Sequence, residues 1–343
     1  MGYYFADKLH DALDVPIGIV GCNWGGTRAC CWMAEEYITG TPAEIWQDEY
    51  RKGLQEVDLA QLSRDYRSNP ANISNHLTLD PYGITFPGWS REQQLKAMEQ
   101  MALGGQLVIG PDHQWRPCGL YHTMLKNVAP YTAKGVIWYQ GESDDVHADI
   151  YDAVLRAMIR NWRDLWQDEL PFLIVQLAPF GNWLDCSGDL YPAVRAKQQA
   201  VCDRDENAFL CSISDSGMQW DIHPKHKKPV GERLALLARG HIYGEDILCD
   251  APRFRDVTVE GTEAVLRYDH ASGLHRAGSE ESVSALTVNG QPCTGRVADD
   301  ALIIPLPQAD EWTIEYANTG YYQADLYNAS GIPALPFAVT VKR

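Results

Sequence analysis

Between residues 120 and 237 the chain alternates short apolar runs with helix-period segments, and this alternation restricts the fold more than any other feature. The pattern predicts a helix near Leu120–Val128, a strand over Val136–Tyr139, a long helix over Ile150–Trp166 and a strand over Phe172–Val175. A helix over Ala193–Cys202, a strand over Phe209–Ile213 and a helix from near Val230 follow. Short apolar runs bounded by polar loops read as strands buried on both faces. Strands separated by helices imply a parallel sheet covered on both sides, an α/β domain.

Upstream, Phe5, Leu9 and Leu13 fall at i, i+4 and i+8, opposite Asp7, Asp11 and Asp14, which predicts an amphipathic helix. Ile17–Val20 reads as another buried strand. It ends in the Gly-rich loop Cys22-Asn23-Trp24-Gly25-Gly26-Thr27, with a second helix from about Ala29. The polar stretch from Thr41 to about Pro117 reads as an elaboration over one end of this domain. It has helical windows at Glu44–Tyr66 and Arg91–Met101 and turns at Asn69-Pro70 and Asp80-Pro81-Tyr82-Gly83. Near Cys249 the pattern changes. Val257–Val259, Ala264–Tyr268, Ala301–Ile304 and Trp312–Tyr316 are strand-like, with no helix between them. They predict a small C-terminal β-sandwich. The expected organisation is an α/β domain over 1–249 and a β domain over 250–343, in line with a prior of ~150 residues per domain for a chain of 343.

Forty-six acidic residues against 29 basic ones give a formal net charge of -17. Phosphate backbones repel such a surface, so no nucleic-acid partner is expected, and the acidity reads as solubility. No apolar run approaches the ~20 residues of a membrane span, so no membrane partner is expected. No basic segment followed by an apolar one opens the chain. The nine cysteines are odd in number, scattered and without C-x-x-C. They read as reduced thiols, which points to a cytoplasmic setting.

In an open α/β sheet, ligands bind beyond the carboxyl ends of the strands. Three groups fall there: Gly25-Gly26, Gln140-Gly141-Glu142, and Asp221 with His223. His223 is a candidate general base, since an imidazole with a pKa near ~6.5 exchanges protons at neutral pH. Asp221, two residues away, can orient the ring and stabilise imidazolium. Gly25 and Gly26 let backbone N–H groups approach an oxyanion, and Gln140 offers a side-chain amide for the same task. Glu142 reads as a support that accepts backbone N–H bonds. Trp24, Tyr139, Trp183 and Trp220 lie in or near these loops and could stack on a sugar, although aromatics are usually core. Blander readings exist for each group: Asp-x-His and Gly-Gly also make ordinary turns, and Gln140 could be a buried hydrogen-bonder. Asp221, His223 and His226 could also ligate Zn²⁺, but Lys225, Lys227 and Lys228 surround His226 and repel a cation, so no metal is expected there.

Four blocks in order resemble the sialate O-acetylesterase family of the SGNH/GDSL hydrolase superfamily. Trp138-Tyr139-Gln140-Gly141-Glu142 is similar to its W-Y-Q-G-E block. Asp221-Ile222-His223-Pro224-Lys225, with Val230-Gly231-Glu232-Arg233-Leu234-Ala235, resembles its D-I-H-P-K…V-G-x-R-L-A block. Val15-Pro16-Ile17-Gly18-Ile19 before Trp24-Gly25-Gly26-Thr27 resembles V-P-V-G-L…W-G-G-T. Leu326-Tyr327-Asn328 and Gly331-Ile332-Pro333-Ala334-Leu335-Pro336-Phe337 resemble its ending. The resemblance implies a three-layer, flavodoxin-like SGNH hydrolase domain and hydrolysis of acetyl esters on sugar hydroxyls by a Ser-His-Asp mechanism without a cofactor. It makes Asp221 and His223 the catalytic pair. It also implies a G-Q-S-N-M segment bearing the nucleophilic serine on a strand upstream of the W-G-G-T block. Nothing in these 343 residues matches that segment, so the expectation is an N-terminally truncated member whose nucleophile lies outside the chain. Ser143, Ser214 and Ser216 stand in the wrong blocks for that role. A sugar-binding protein without catalysis is the alternative.

Overall fold

Phe172-Leu173-Ile174-Val175 is completely buried and forms the middle of a three-stranded parallel sheet. The sheet comprises β1 (Val136–Trp138), β2 (Phe172–Val175) and β3 (Ala208–Cys211), hydrogen-bonded in that order. The computed structural model describes residues 1–55, 57–68, 90, 92, 109–183, 186–278 and 283–343. The turns expected at Asn69-Pro70 and Asp80-Gly83 lie outside these residues. So does the helix expected over Arg91–Met101, apart from Glu92.

The period of two along β2 sorts its side chains between two helical layers. Leu173 and Val175 join a cluster with Leu9, Ile213, Val230 and Leu234, under α1 (Gly2–Leu13) and α6 (Lys227–Leu237). Phe172 and Ile174 point the other way, into a cluster with Val154, Leu155, Met158 and Val194 from α4 (Tyr151–Trp166) and α5 (Tyr191–Cys202). Helix, sheet and helix therefore form three layers. Helix α1 comes so close to α6 that a Cβ at Gly231 would stand 2.6 Å from Tyr4 Cβ. Between α1 and β1 the polar stretch supplies α2 (Glu44–Gly53) and α3 (Leu59–Ser68).

Two expectations in the α/β unit are corrected. Ile17–Val20 pairs with no strand among the described residues and is not buried: Ile19 and Val20 are 49% and 62% exposed. An apolar run becomes a strand only where a neighbour offers a ladder. The outer edge of β1 likewise carries no further strand among the described residues. The helix expected from Ala29 is a single 3₁₀ turn, Ala29–Trp32, whose four residues are all buried.

From Arg253 onward, beside a two-stranded sheet of His275–Arg276 with Leu326–Tyr327, the described residues form seven further antiparallel strands: β4 (Arg253–Glu260), β5 (Glu263–Asp269), β6 (Val283–Val288), β7 (Gln291–Ala298), β8 (Ala301–Pro305), β9 (Glu311–Tyr316) and β10 (Phe337–Lys342). They lie in one sheet in the order β10-β9-β6-β7-β8-β5-β4. The two edge strands meet where Phe254 of β4 stacks on Phe337 of β10, with ring centroids 4.5 Å apart. In place of the expected sandwich of two packed sheets, the domain is built on one nearly closed main sheet. Bulges between Cys293 and Gly295 and between Phe254 and Asp256 add the twist that curls it.

Arg195 of α5 joins the two units. Its guanidinium donates to the carbonyls of Thr319 (3.0 Å) and Gly320 (2.7 Å) and lies 5.1 Å from the centre of the Tyr322 ring, at 1% exposure. Burial lowers its pKa, and the carbonyl dipoles with the ring face stand in for a counter-ion. Arg195→Leu strips these carbonyls of charged donors and is expected to cost about 3 kcal/mol, with Arg195→Lys recovering part of it. Urea unfolding measures this. An unchanged midpoint for the leucine variant would remove Arg195 as the joint.

Candidate active site

Two loops at the carboxyl ends of the parallel layer are locked together by one buried carboxylate. Asp144, 1% exposed, accepts the Ala29 N–H (2.9 Å) and the Gln140 amide (2.5 Å) on Oδ2. The second amide hydrogen of Gln140 reaches the Thr27 carbonyl (3.1 Å), and its Oε1 accepts from the Tyr151 hydroxyl (3.0 Å). Ser143 Oγ donates to the Gly26 carbonyl (2.9 Å), and Thr27 Oγ1 donates to the Trp24 carbonyl (2.7 Å). The Trp24–Ala29 loop is thereby fastened to the Gln140–Asp144 loop that follows β1. Burial pushes the Asp144 carboxyl above its usual range, while the Ala29 N–H, the Gln140 amide and Arg28 draw it down.

This finding changes the expected use of Gln140. Both hydrogens of its amide are spent inside the clamp, so neither is free for an oxyanion in this arrangement. Gly25 is exposed, and Gly26 follows it with φ at 73°, a left-handed conformation that favours glycine. Their backbone is the accessible part of this loop.

The second constellation follows β3. His223 Nδ1 lies 3.0 Å from Asp221 Oδ1, and the His223 backbone N–H donates to the same oxygen at 2.8 Å. This turn fixes the ring against the carboxylate. An acceptor at Nδ1 assigns the proton there and leaves Nε2 with its lone pair. Asp221 Oδ2 pairs with Lys225 Nζ at 2.6 Å. Partial burial pushes the Asp221 carboxyl upward, but Lys225 and the two His223 bonds prevail and hold it below the usual range. The His223 side chain is 49% exposed, and Trp183 meets its ring edge-on at 5.0 Å.

The two constellations share one apolar floor: Cys22, Trp24, Trp183 and Ile222 all pack against the cluster that contains Trp138, Tyr151 and Phe180. They also share a charge. Lys227 sits 4.6 Å from the centre of the Tyr139 ring and feels both Glu142 and Asp221. Burial raises the Glu142 pKa, while its own backbone N–H and Lys227 oppose the rise. Trp220 is 68% exposed beside Asp221. Ser143 is held by Gly26, and buried Ser214 accepts from the Tyr322 hydroxyl (3.0 Å). Buried Ser216 donates to Asp215 (3.1 Å). Sequence reasoning gave Asp144 no role in the site and used Lys227 only as a charge that repels a cation. The signal for Asp144 was its position four residues after Gln140 in the same loop.

A family model for carbohydrate esterases, described as sialic acid-specific acetylesterases, matches residues 91–236. Sialate O-acetylesterase of Homo sapiens is 31% identical over 261 residues, which are 71% of this chain and 39% of that protein. Sialate O-acetylesterase of Mus musculus is 27% identical over 262 residues, 71% of this chain and 42% of that protein. The chain thus spans about two-fifths of the length of these curated relatives. A crystal structure of a carbohydrate acetylesterase from Xanthomonas citri superposes with a TM-score of 0.67 at 28% identity, over 98% of this chain and 64% of that one.

The clamp yields a paired expectation. Asp144→Ala leaves the Ala29 N–H and the Gln140 amide without an acceptor and should cost about 3 kcal/mol of stability. Asp144→Asn keeps an acceptor oxygen without the buried charge and should cost clearly less. Denaturant titrations of both variants decide. Equal losses would show that the charge, and not the acceptor, matters.

Proposed function

We propose that this member of the sialic acid-specific carbohydrate esterase family hydrolyses acetyl esters on sugar hydroxyls, with His223 as general base and Asp221 as its orienting carboxylate. One observation carries the reading: the 3.0 Å contact between His223 Nδ1 and Asp221 leaves Nε2 free to exchange a proton at the carboxyl end of the sheet, on the same apolar floor as the Gly25-Gly26 loop. A serine hydroxyl attacks the acetyl carbonyl, and His223 takes its proton. Negative charge gathers on the carbonyl oxygen, where the backbone N–H groups of Gly25 or Gly26 receive it. The C–O bond to the sugar breaks, and His223 returns the proton to the leaving oxygen. Water, deprotonated by His223, then releases acetate from the serine. Gln140 serves as the strut under the Gly25-Gly26 loop, Glu142 as a support, and Trp183 and Trp220 as faces for the sugar ring.

The serine comes from outside the residues described. Two features support this. Ser143, Ser214 and Ser216 are engaged elsewhere, and the free edge of β1 and the exposed apolar Ile17–Val20 segment are both ready to take up another strand. The substrate is an acetylated sialic acid or an acetylated glycan sugar such as xylose.

His223→Ala in the full-length protein is expected to lower kcat on an acetyl ester at least ~10³-fold with the melting temperature unchanged, and Asp221→Asn should lower it comparably. Retention of activity within a few-fold by either variant would sink the assignment. The sign of the pH effect follows from the Asp221 shift. A carboxyl depressed in the folded state contributes stability that is complete above the unfolded value of ~3.9 and is lost as pH falls through the folded one. Asp221 therefore stays ionised from pH ~5 to ~8, and Asp221→Asn should not move the acid limb of the kcat profile to a new carboxylate pKa.

A further inference from the structure

On the far side of α6 from its first turn, the chain gathers a second set of donor atoms that the esterase reading does not use. His241 lies in a π-helical turn, Ala238–Ile242, that ends α6. Such turns are rare and frequent at functional sites. Its Nε2 is 3.0 Å from each carboxylate oxygen of Asp250. Cys249 Sγ is 3.6 Å from Asp250 Oδ2, and the three donor atoms lie within 4.8 Å of one another. His270, from the turn after β5, brings its Nδ1 to 4.0 Å from the same oxygen.

We propose that His241, Cys249 and Asp250 hold a structural zinc ion, with neighbouring His270 swinging in as the fourth ligand to tie the end of α6 to the antiparallel sheet. The distances fit. Zn–N and Zn–O bonds of ~2.0–2.2 Å and a Zn–S bond of ~2.3 Å, at tetrahedral angles, separate neighbouring donors by roughly 3.3–3.8 Å. The contacts of 3.0 and 3.6 Å among His241, Asp250 and Cys249 lie close to that range, whereas His270 falls outside the trio and its ring must move to bind. Two imidazoles, a thiolate and a carboxylate suit Zn²⁺ better than Ca²⁺ or Mg²⁺, which prefer oxygen alone.

The surroundings are built for these side chains. A Cβ at Gly240 would stand 2.4 Å from Cys249 Sγ, so the thiol occupies space that only glycine leaves. Phe209 stacks on the His241 ring, with centroids 4.0 Å apart and planes 14° from parallel. Asn328 Nδ2 donates to the carbonyls of both Asp250 (2.9 Å) and His270 (3.1 Å), which pins the two loops side by side. A cavity of about 200 Å³ reaches the edge of the cluster at Asp250 and His270. Zinc binding takes the thiolate and the neutral imidazole as ligands and so releases protons. It also stabilises the folded chain, because the unfolded chain holds no such site.

The test is a Co²⁺ titration of the full-length protein after dialysis against a chelator. Co²⁺ reports thiolate ligation by a near-ultraviolet charge-transfer band. Wild type should show the band at one equivalent, Zn²⁺ should displace Co²⁺ and raise the melting temperature, and Cys249→Ser should abolish the band. His270→Ala, at a half-exposed position, should fold normally and weaken binding at least ~10-fold. His223→Ala should keep the band, since it lies in the other constellation. Absence of the band in wild type, its persistence in Cys249→Ser, or binding by His270→Ala within about twofold of wild type would each overturn the site.

Discussion

The candidate site depends on a carboxylate with almost no access to water. Asp144 takes the Ala29 N–H and the Gln140 amide on one oxygen, and the Ala29–Asp144 and Gln140–Thr27 bonds hold together loops more than a hundred residues apart in the chain. A buried carboxylate is costly unless it is hydrogen-bonded, and here the donors meet Oδ2 alone, so the clamp tolerates little departure from this arrangement of the two loops. Ser143 on Gly26, Thr27 on Trp24 and Tyr151 on Gln140 complete that arrangement. The backbone of Gly25 and Gly26 therefore occupies a fixed position over the sheet, as preorganised stabilisation of charge requires.

The Asp221–His223 pair is built differently. It needs no long-range clamp, because a two-residue turn brings the ring to its own carboxylate with help from the His223 backbone N–H. Local geometry sets the proton position, and Trp183 limits the ring's travel. Half of the His223 side chain remains open to solvent. The clamped Trp24–Ala29 loop and the half-exposed His223 turn both rest on the same apolar cluster.

The parallel layer was legible because its signal is local. A completely apolar β2 and an amphipathic α4 declare themselves within their own windows. Ile17–Val20 was misread because apolar character reports what a segment could bury, whereas a strand also needs a partner. The β domain was misread in the same way. Strand propensity identifies the strands, but closure rests on Phe254 meeting Phe337, a contact between the first and last strands. In the site, the motif led to Gln140 but could not tell that Asp144 and Thr27 consume its hydrogens. The Asp221–His223 pair was legible because both partners lie in one turn. The His241–Cys249–Asp250–His270 cluster was not legible, because its spacing matches no short metal motif and His270 arrives from the other unit.

The central claim is that the Asp221–His223 turn and the Gly25-Gly26 loop face one reaction centre. The most direct measurement is a crystal structure of the full-length protein inactivated by a fluorophosphonate. The account predicts a phosphonylated serine on a strand beside β1, with its Oγ within hydrogen-bond reach of His223 Nε2 and the phosphoryl oxygen on the backbone N–H of Gly25 or Gly26. An adduct whose serine oxygen lies beyond reach of His223, or whose phosphoryl oxygen is held by other donors, would contradict it.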